Sequence, residues 1–494
     1  MCRSVAPVRR TTQNLTMHMK FIYTTVTALL IALLSTAAAR AQSPPADALI
    51  NKLVEKGILS EKEAKDLLAE STQTNLPAAS KWRLSDAIKS IGLFGDVRFR
   101  YEYRGADNAP GSGSTKDDYY RERFRYALRL GLRGDLFDNF YYGLRLETSS
   151  NPRSPWVTFG DDTNPTPFAK NSDTIGIGQA FVGWRPNDWY EMVIGKMPMP
   201  LYITPMVWDS DLNPEGFAEK FKFSLGDRVD VFGTFGQFVY QDTNPDAAIP
   251  SSDTFILAWQ LGANVKLAKD VSFKVAPVVY NYTGVGQANL LNVPYTGEGL
   301  GGINVGLTAP LTNAVHFNQN GINDLLVLEV PAELNFKLGH LGARVFGDFG
   351  YNFYGDDRAR AAATAAGSAV LSHAYLGQDK AYQVGFGVGN LGLVYGQVSK
   401  KNTWEARAYW QHIEQYALDV NLIDSDFFEG RANLEGVYTA LAYSVTDGII
   451  TTIRYGYANR INKELGTGGS NPDLPILNPV KNYHLLQADV TWRF

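Results

Sequence analysis

Apolar and polar residues alternate along most of the chain, from Leu93 to its last residue. In segment 93–104 the odd positions are apolar, aromatic or glycine, whereas most even positions are charged. Segments 121–133, 140–147 and 326–336 repeat this alternation. Successive side chains of a β-strand point to opposite faces of the sheet, so a period of two predicts strands with one apolar and one polar face.

The connections between the predicted strands alternate in length. Short turns are expected at 134–139, 186–188, 226–227, 268–270, 339–340, 399–402 and 446–448. Long loops are expected near 105–118, 150–173, 197–216, 241–253, 284–323, 355–378, 416–429 and 460–481. Each of the seven short turns joins two strands, and a first and a last strand raise the predicted count to sixteen. Short turns at one rim and long loops at the other are typical of a transmembrane antiparallel β-barrel, so we predict an all-β protein of this class.

A soluble β-sandwich also alternates apolar and polar residues and is the alternative fold. Sandwich domains span about 100 residues, and no linker divides this chain into such units. Aromatic residues also lie near the predicted strand ends, where rings at the two membrane surfaces form girdles. They are Tyr101 and Tyr103, Phe140 and Tyr142, Trp184 with Trp189 and Tyr190, and Tyr455 and Tyr457.

The closing segment, HLLQADVTWRF, carries the most specific single pattern. Its alternate positions are apolar and end in Trp492 and Phe494. A terminal aromatic residue after such a strand looks like the signal that the barrel assembly machinery reads. The sequence therefore predicts the outer membrane of a Gram-negative bacterium as the location.

The amino-terminal part of the chain has a different pattern. Residues 1–41 are expected to be a signal peptide, because the apolar run 21–39 is rich in Thr and Ala and ends in an A-x-A site. Residues 42–90 are expected to form a periplasmic helix-turn-helix and linker, with a capping box at Ser60 and Glu63. The barrel itself is expected over 91–494.

Composition and charge exclude several other classes. Charged residues make up 19% of the 494 residues and aromatic residues 12%, which suits neither a disordered chain nor a charged helical bundle. The single cysteine, Cys2, lies in the predicted signal, so the mature chain forms no disulfide. Cleavage after Ala41 leaves 41 Lys and Arg against 50 Asp and Glu, and this acidic balance gives no reason to expect a nucleic-acid partner.

The sequence resembles the Gram-negative outer-membrane porins, most closely a family of putative porins with a short amino-terminal helical segment. The resemblance rests on ALINKLVEKGILSEKEAKDLLAE near the mature start, VIGKMP at 193–198, VWDSDLNPEGFA at 207–218 and the closing strand. The chain is more distantly similar to phosphate-selective and general diffusion porins. That resemblance implies a homotrimer of sixteen-stranded barrels in outer-membrane lipid and passive passage of small hydrophilic solutes or anions.

A series of arginines shares the polar face of the first three predicted strands. In a barrel, this parity directs their side chains into the lumen, where they would form a pore-lining basic wall. The alternative is that these arginines are paired with Asp96, Glu102 and Glu147. The predicted wall consists of Arg98, Arg100, Arg104, Arg121, Arg123, Arg125, Arg129, Arg133 and Arg145.

The third long loop, 197–216, carries three acidic residues, Asp209, Asp211 and Glu215. If the loop folds inward, as the equivalent loop does in the related porins, these acids face the arginines across a constriction and produce a transverse field. The alternative is an external loop with ordinary turn chemistry at Asn213, Pro214 and Gly216. The long loop 284–323 offers no comparable indication of its role.

No catalytic, metal or cofactor motif is present. The five histidines after the predicted signal are scattered without metal-ligand spacing, and no nucleophile elbow, P-loop or zinc motif occurs. We therefore expect a passive outer-membrane channel rather than an enzyme. The alternative function is a structural barrel with a closed lumen that tethers the envelope through its helical amino terminus.

The helical segment generates a prediction about assembly. The apolar stripes of residues 46–70 need a partner, because so small a helical pair buries little surface by itself. Deleting this segment is expected to weaken the homotrimer without unfolding the barrel. Chemical cross-linking of the full-length and deleted chains measures this, and a monomeric full-length protein would contradict it.

Overall fold

The structure is a computed structural model that describes residues 85–108, 118–148, 154–160, 174–242, 254–283, 325–357, 359–360, 376–390, 400–463, 465–467 and 480–494. The predicted signal peptide, the predicted helix-turn-helix and the whole of loop 284–323 lie outside these residues. Within the described residues, no helix is long and apolar enough to cross a membrane.

The described chain forms one antiparallel sheet of nineteen strand segments. They are β1 Gly92–Asn108, β2 Asp118–Asp135, β3 Phe140–Thr148, β4 Val157–Thr158, β5 Ile175–Asn187, β6 Tyr190–Lys196, β7 Glu215–Leu225, β8 Val229–Gln241, β9 Thr254–Ala268, β10 Val271–Val275, β11 Val278–Thr283, β12 Leu326–Glu329, β13 Ala332–Leu338, β14 Leu341–Asn352, β15 Lys380–Gly389, β16 Trp404–Ile413, β17 Leu434–Thr446, β18 Ile449–Arg460 and β19 Val480–Arg493. A single 3₁₀ turn, Phe137–Asn139, lies in the described connection between β2 and β3.

These segments make up sixteen barrel strands, which confirms the predicted count. Segments β10 and β11 both pair with β9 and are separated by Pro277, and β12 and β13 both pair with β14 and are separated by Pro331. Proline has no N–H to donate to the ladder, so each proline interrupts a strand that otherwise continues. Similarly, β3 and β4 both pair with β2.

The barrel closes because the first strand pairs with the last. The β1–β19 ladder places Val97 opposite Trp492, and the backbones of Gly95 and Phe494 exchange two hydrogen bonds of 3.0 and 3.1 Å. The Phe494 ring covers Gly95, where an added Cβ would lie 2.7 Å from the ring. Closure leaves no sheet edge, so the backbone polar groups of the strands are satisfied within the sheet.

The outer face is apolar, as the alternation predicts. Phe124, Leu261 and Ile453 expose 61, 65 and 55% of their surface, whereas Arg104 and Glu102 on the opposite face are fully buried. Aromatic rings pack together beside the short turns, where Trp189 stacks on Phe223 with centroids 5.6 Å apart. The lipid chains of a bilayer solvate an exposed apolar belt of this kind, and aromatic residues at its ends lie at the membrane–water interface.

The closed barrel predicts unusual migration on a denaturing gel. A barrel without edges resists detergent unfolding, so unheated protein is expected to run at a different apparent mass from boiled protein. Circular dichroism of the purified chain provides a second readout. Identical migration with and without heating, or a helix-dominated spectrum, would contradict the fold.

Candidate functional site in the barrel interior

Residues 197–214, which join β6 to β7, run through the interior of the barrel; we call them the first inner loop. Gln260 on β9 accepts the Tyr202 N–H at 2.8 Å and donates to the Tyr202 carbonyl at 2.7 Å. The Thr204 N–H donates to Glu329 on β12 at 3.2 Å, and its hydroxyl donates to Asp348 on β14. These contacts tie the loop to inward-facing residues on three separate strands.

Residues 414–433, which join β16 to β17, also enter the interior; we call them the second inner loop. Tyr416, Phe427 and Glu429 of this loop are fully buried. The Asp426 carboxylate accepts a hydrogen bond from Arg100 at 2.9 Å, and the Asp426 carbonyl accepts one from Arg104 at 2.9 Å. A long loop is predicted here from the sequence, but its position inside the barrel is not.

The two inner loops are joined to each other around Asp209. This carboxylate accepts hydrogen bonds from the backbone and hydroxyl of Ser425 at 3.0 and 2.7 Å. The Asp209 N–H donates to the Leu422 carbonyl, and the Asp424 N–H donates to the Pro205 carbonyl at 3.1 Å. Because Asp209 is only 2% exposed, its carboxylate depends on these donors for solvation.

Apolar packing supports the inner loops on the other side of the barrel. Trp208 of the first inner loop packs against Phe238 on β8 and Tyr280 on β11, with centroids 6.1 and 6.3 Å apart. Phe427 of the second packs against Tyr409 and Tyr438 at 6.0 and 5.2 Å. Part of the inward face that the inner loops cover is therefore apolar, which departs from the simple rule that inward residues of a barrel are polar.

Four arginines of the predicted wall converge on one buried carboxylate, Glu102 of β1. The arginines come from β1 and its neighbour β2, and Glu102 has no exposed surface. Arg100, Arg104 and Arg125 lie 3.7, 3.1 and 3.5 Å from the Glu102 carboxylate, and Arg123 pairs with it, its Nε donating a hydrogen bond of 2.7 Å. These arginines therefore lie within a compensated network.

Acids distant in sequence complete this network. Asp489 on β19 accepts from Arg100 at 2.8 Å and also pairs with Arg454 of β18. Burial opposes ionisation of Asp426 in the second inner loop, but the guanidinium groups of Arg100 and Arg104 lower its pKa to about 2. Asp426 and Asp489 were not predicted as partners, because they lie neither on the first three strands nor in loop 197–216.

The remaining predicted arginines follow the lumen wall toward its two ends. Arg129 pairs with Glu147 at 3.3 Å and with Asp211 of the first inner loop. Arg145 pairs with Glu147 at 3.0 Å, and Arg98 pairs with Asp96. Beyond these, Arg121 lies opposite Arg104 in the strand register and Arg133 lies 5.1 Å from the Phe94 ring centroid.

The three predicted loop acids have different environments. Asp209 joins the inner loops, and Asp211 is in direct contact with Arg129 rather than across a gap from it. Glu215 does not join them, because it begins β7 with its side chain 60% exposed and pairs with Lys196 at 2.9 Å. Placing Glu215 among the constriction acids was therefore wrong: the strand begins earlier than the sequence suggested.

The described residues line at least two cavities inside the barrel. One of about 170 Å³ lies beside the arginine network and is lined by five arginines and four acids. These are Arg98, Arg100, Arg407, Arg454, Arg493, Asp211, Glu405, Asp426 and Asp489. The other, of about 660 Å³, lies next to the short turn between β5 and β6 and includes Lys220, Lys222, Tyr202 and Phe232 in its lining.

Among the residues that the structure describes, no cluster of His, Cys, Asp and Glu could hold a metal ion.

A closed barrel with an apolar outer belt and a charged interior narrowed by inward-folded loops defines an outer-membrane channel. The sequence profile of the family described as "Putative porin" matches residues 106–298 and 323–494. The chain therefore belongs to this family, and its location is the outer membrane of a Gram-negative bacterium. No curated protein matches it.

Solved structures of outer-membrane proteins are similar to the chain at low identity. The channel DcaP of Acinetobacter baumannii is 13% identical, with 82% of this chain and 97% of that chain covered and a TM-score of 0.38. In-vitro folded OmpT of Vibrio cholerae is 9% identical, with coverages of 84 and 100% and a TM-score of 0.41. A mutant of the Rh. blastica porin is 13% identical, with coverages of 82 and 100% and a TM-score of 0.37.

The junction of the inner loops predicts a pH dependence. Burial and the neighbouring Asp426 carboxylate raise the pKa of Asp424 to about 6, above its ordinary value. A raised acid pKa means that the arrangement is favoured while Asp424 is protonated and loses stability as the pH rises through about 6. After correction for intrinsic rates, amide exchange in the second inner loop is expected to increase about tenfold from about pH 5 to about pH 7.5.

The variant Asp424→Asn is the comparison for this measurement. Asparagine keeps the shape of the side chain and does not titrate, so hydrogen exchange in this variant is expected to lose most of the pH dependence. Equal pH dependence in the variant and the natural chain would show that another group is responsible.

Proposed function

We propose that the protein is a passive diffusion channel for small hydrophilic solutes and that it favours anions. The observation that carries the proposal is the charge of the two interior cavities. The smaller is lined by five basic and four acidic side chains. The larger is lined by Arg185, Lys220 and Lys222 against Asp188 and Glu191. Each cavity therefore has one more positive than negative charge, although the whole chain is acidic.

Position gives these interior charges more influence than the overall net charge. Charges on external loops are screened over about 8 Å at physiological ionic strength, whereas lumen charges act on a solute near contact distance. Arginine stays ionised and offers several donors, which suits transient contacts with carboxylates or phosphates. The proposed activity is thus passage of solutes through a charged, narrowed lumen rather than catalysis.

A structural barrel with a closed lumen is the second candidate function. It is favoured by one observation, the packing of the two inner loops against each other through Asp209 and Ser425. Steady single-channel currents of the purified protein in planar lipid bilayers support the channel, whereas bilayers with inserted protein and no steady current support the closed barrel.

We also propose that the protein assembles as a homotrimer. On the outer face of β7, Glu219 lies two residues from both Phe217 and Phe221, and it accepts a hydrogen bond from the Tyr190 hydroxyl at 3.2 Å. A carboxylate is disfavoured on a lipid-facing surface, so its position supports contact with another protein surface. The helical segment 46–70 and the barrel assembly machinery remain expected partners.

Selectivity tests the anion preference. Arg98 lines the smaller cavity, and at 24% side-chain exposure it is more accessible than the arginines around Glu102. Arg98→Gln removes one positive charge from the lumen, so the zero-current potential in a salt gradient is expected to shift toward cations, most strongly at low salt.

The matched control is Arg360→Gln, because Arg360 is 61% exposed and pairs with Asp357 in the long connection between β14 and β15. Its loss removes the same charge from a position outside the lumen, and the zero-current potential is expected to stay the same. Equal shifts in both variants, or no shift in either, would contradict an anion preference set by the lumen.

A further inference from the structure

The larger cavity combines positive charge with aromatic surface. The Lys222 side chain is exposed on β7 and has no acidic partner among the described residues. Lys220, two residues earlier, shares Glu191 with Arg185, at 3.1 and 2.8 Å. Of the three cations that line the cavity, Arg185 and Lys220 share Glu191, so Lys222 is the cation best placed to accept a further anion.

Two aromatic rings lie close to these cations. In the β7–β8 ladder, Phe232 is the direct partner of Lys222, and its ring lies over Gly262 of β9. A Cβ at Gly262 would lie 2.2 Å from the Phe232 ring, so glycine is what lets this ring lie against the barrel wall. The second ring is Tyr202 of the first inner loop, whose backbone is held on both sides by Gln260.

Lys274 of β10 links the two rings. Its ammonium nitrogen lies 3.4 Å from the centroid of the Tyr202 ring and 5.3 Å from that of Phe232. Both distances are within the range of cation–π attraction, so Lys274 stabilises this placement of the rings, while Glu333, its partner in the β10–β13 ladder, compensates its charge. A solute here meets aromatic surface and ammonium groups together.

We infer that this cavity is a binding subsite for small aromatic carboxylates. The carboxylate binds Lys222, and the ring of the solute packs on Phe232 and Tyr202. The cavity of about 660 Å³ is larger than a one-ring acid, so the bound solute keeps part of its hydration. Weak binding is the condition for release from a channel, and we expect a dissociation constant on the order of 1 mM.

The smaller cavity does not offer the same combination. Its arginines include Arg100 and Arg454, which share Asp489, and its volume is about 170 Å³. The inference rests on the proposed function only for the claim that solutes pass this subsite. The binding chemistry follows from the residues that line the cavity.

Binding of benzoate to the full-length protein in detergent tests the inference without requiring channel activity. Saturation-transfer nuclear magnetic resonance measures the affinity, with acetate as the carboxylate without a ring and benzyl alcohol as the ring without a charge. Benzoate is expected to bind saturably and at least about fivefold more tightly than either comparator, because only benzoate uses both the lysine and the rings.

Two variants separate the contributions. Lys222→Gln and Phe232→Leu are each expected to weaken benzoate binding by about fivefold or more. The control is Lys337→Gln: Lys337 lies beside the short turn between β13 and β14, is 61% exposed and pairs with Asp270, so its loss is expected to leave benzoate binding unchanged.

If benzoate binds no more tightly than acetate or benzyl alcohol, the inference is overturned. This comparison uses only the natural chain, so it does not depend on whether a variant folds. Equal benzoate affinity in the natural chain, Lys222→Gln and Phe232→Leu would overturn it as well. A protein that binds benzoate as expected but shows no current in bilayers would overturn the proposed function and support the subsite.

Discussion

The organisation of the interior depends on the need to neutralise arginines that two neighbouring strands bring together. Arg100, Arg104, Arg123 and Arg125 surround Glu102, which is fully buried. Like charges at such short distances repel one another strongly when water is excluded, and removing one partner of a buried ion pair costs about 3–5 kcal/mol. One carboxylate does not balance four guanidinium groups, so further acids have to come from elsewhere in the chain.

The second inner loop provides part of that charge and thereby connects electrostatics to the shape of the lumen. Asp426 binds Arg100 and Arg104, and the adjacent Ser425 donates to Asp209 of the first inner loop. The first inner loop in turn brings Asp211 to Arg129. Arginines on the barrel wall therefore hold both loops inside the barrel, and the loops leave cavities beside charged residues.

Much of the fold follows from the sequence, since a period of two, alternating connection lengths and a terminal aromatic strand are local signals. The parity of Arg98 to Arg145 predicts that these side chains share the inward face. The partners of these arginines were not predictable in the same way, because Asp426 and Asp489 lie more than 300 residues away from Arg100. Their proximity is a consequence of barrel closure and of loop folding.

One signal for the second inner loop was nevertheless present in the sequence. The tripeptide Asp-Ser-Asp occurs at 209–211 in the first inner loop and again at 424–426 in the second. In each copy at least one residue contacts the other inner loop, and the last aspartate pairs with a wall arginine. By contrast, no sequence pattern indicated that the apolar residues Phe238 and Tyr280 face inward, because their burial requires Trp208 of a loop distant in sequence.

The central claim is that Asp426 carries negative charge from the second inner loop into the path of the solute. The zero-current potential of Asp426→Asn in a salt gradient at neutral pH tests it most directly, since the low pKa of about 2 means that the natural side chain is ionised there. The account predicts a shift toward anions in this variant and none in Asp447→Asn, whose charge lies on the short turn between β17 and β18. An unchanged potential in Asp426→Asn, or a shift toward cations, would contradict it.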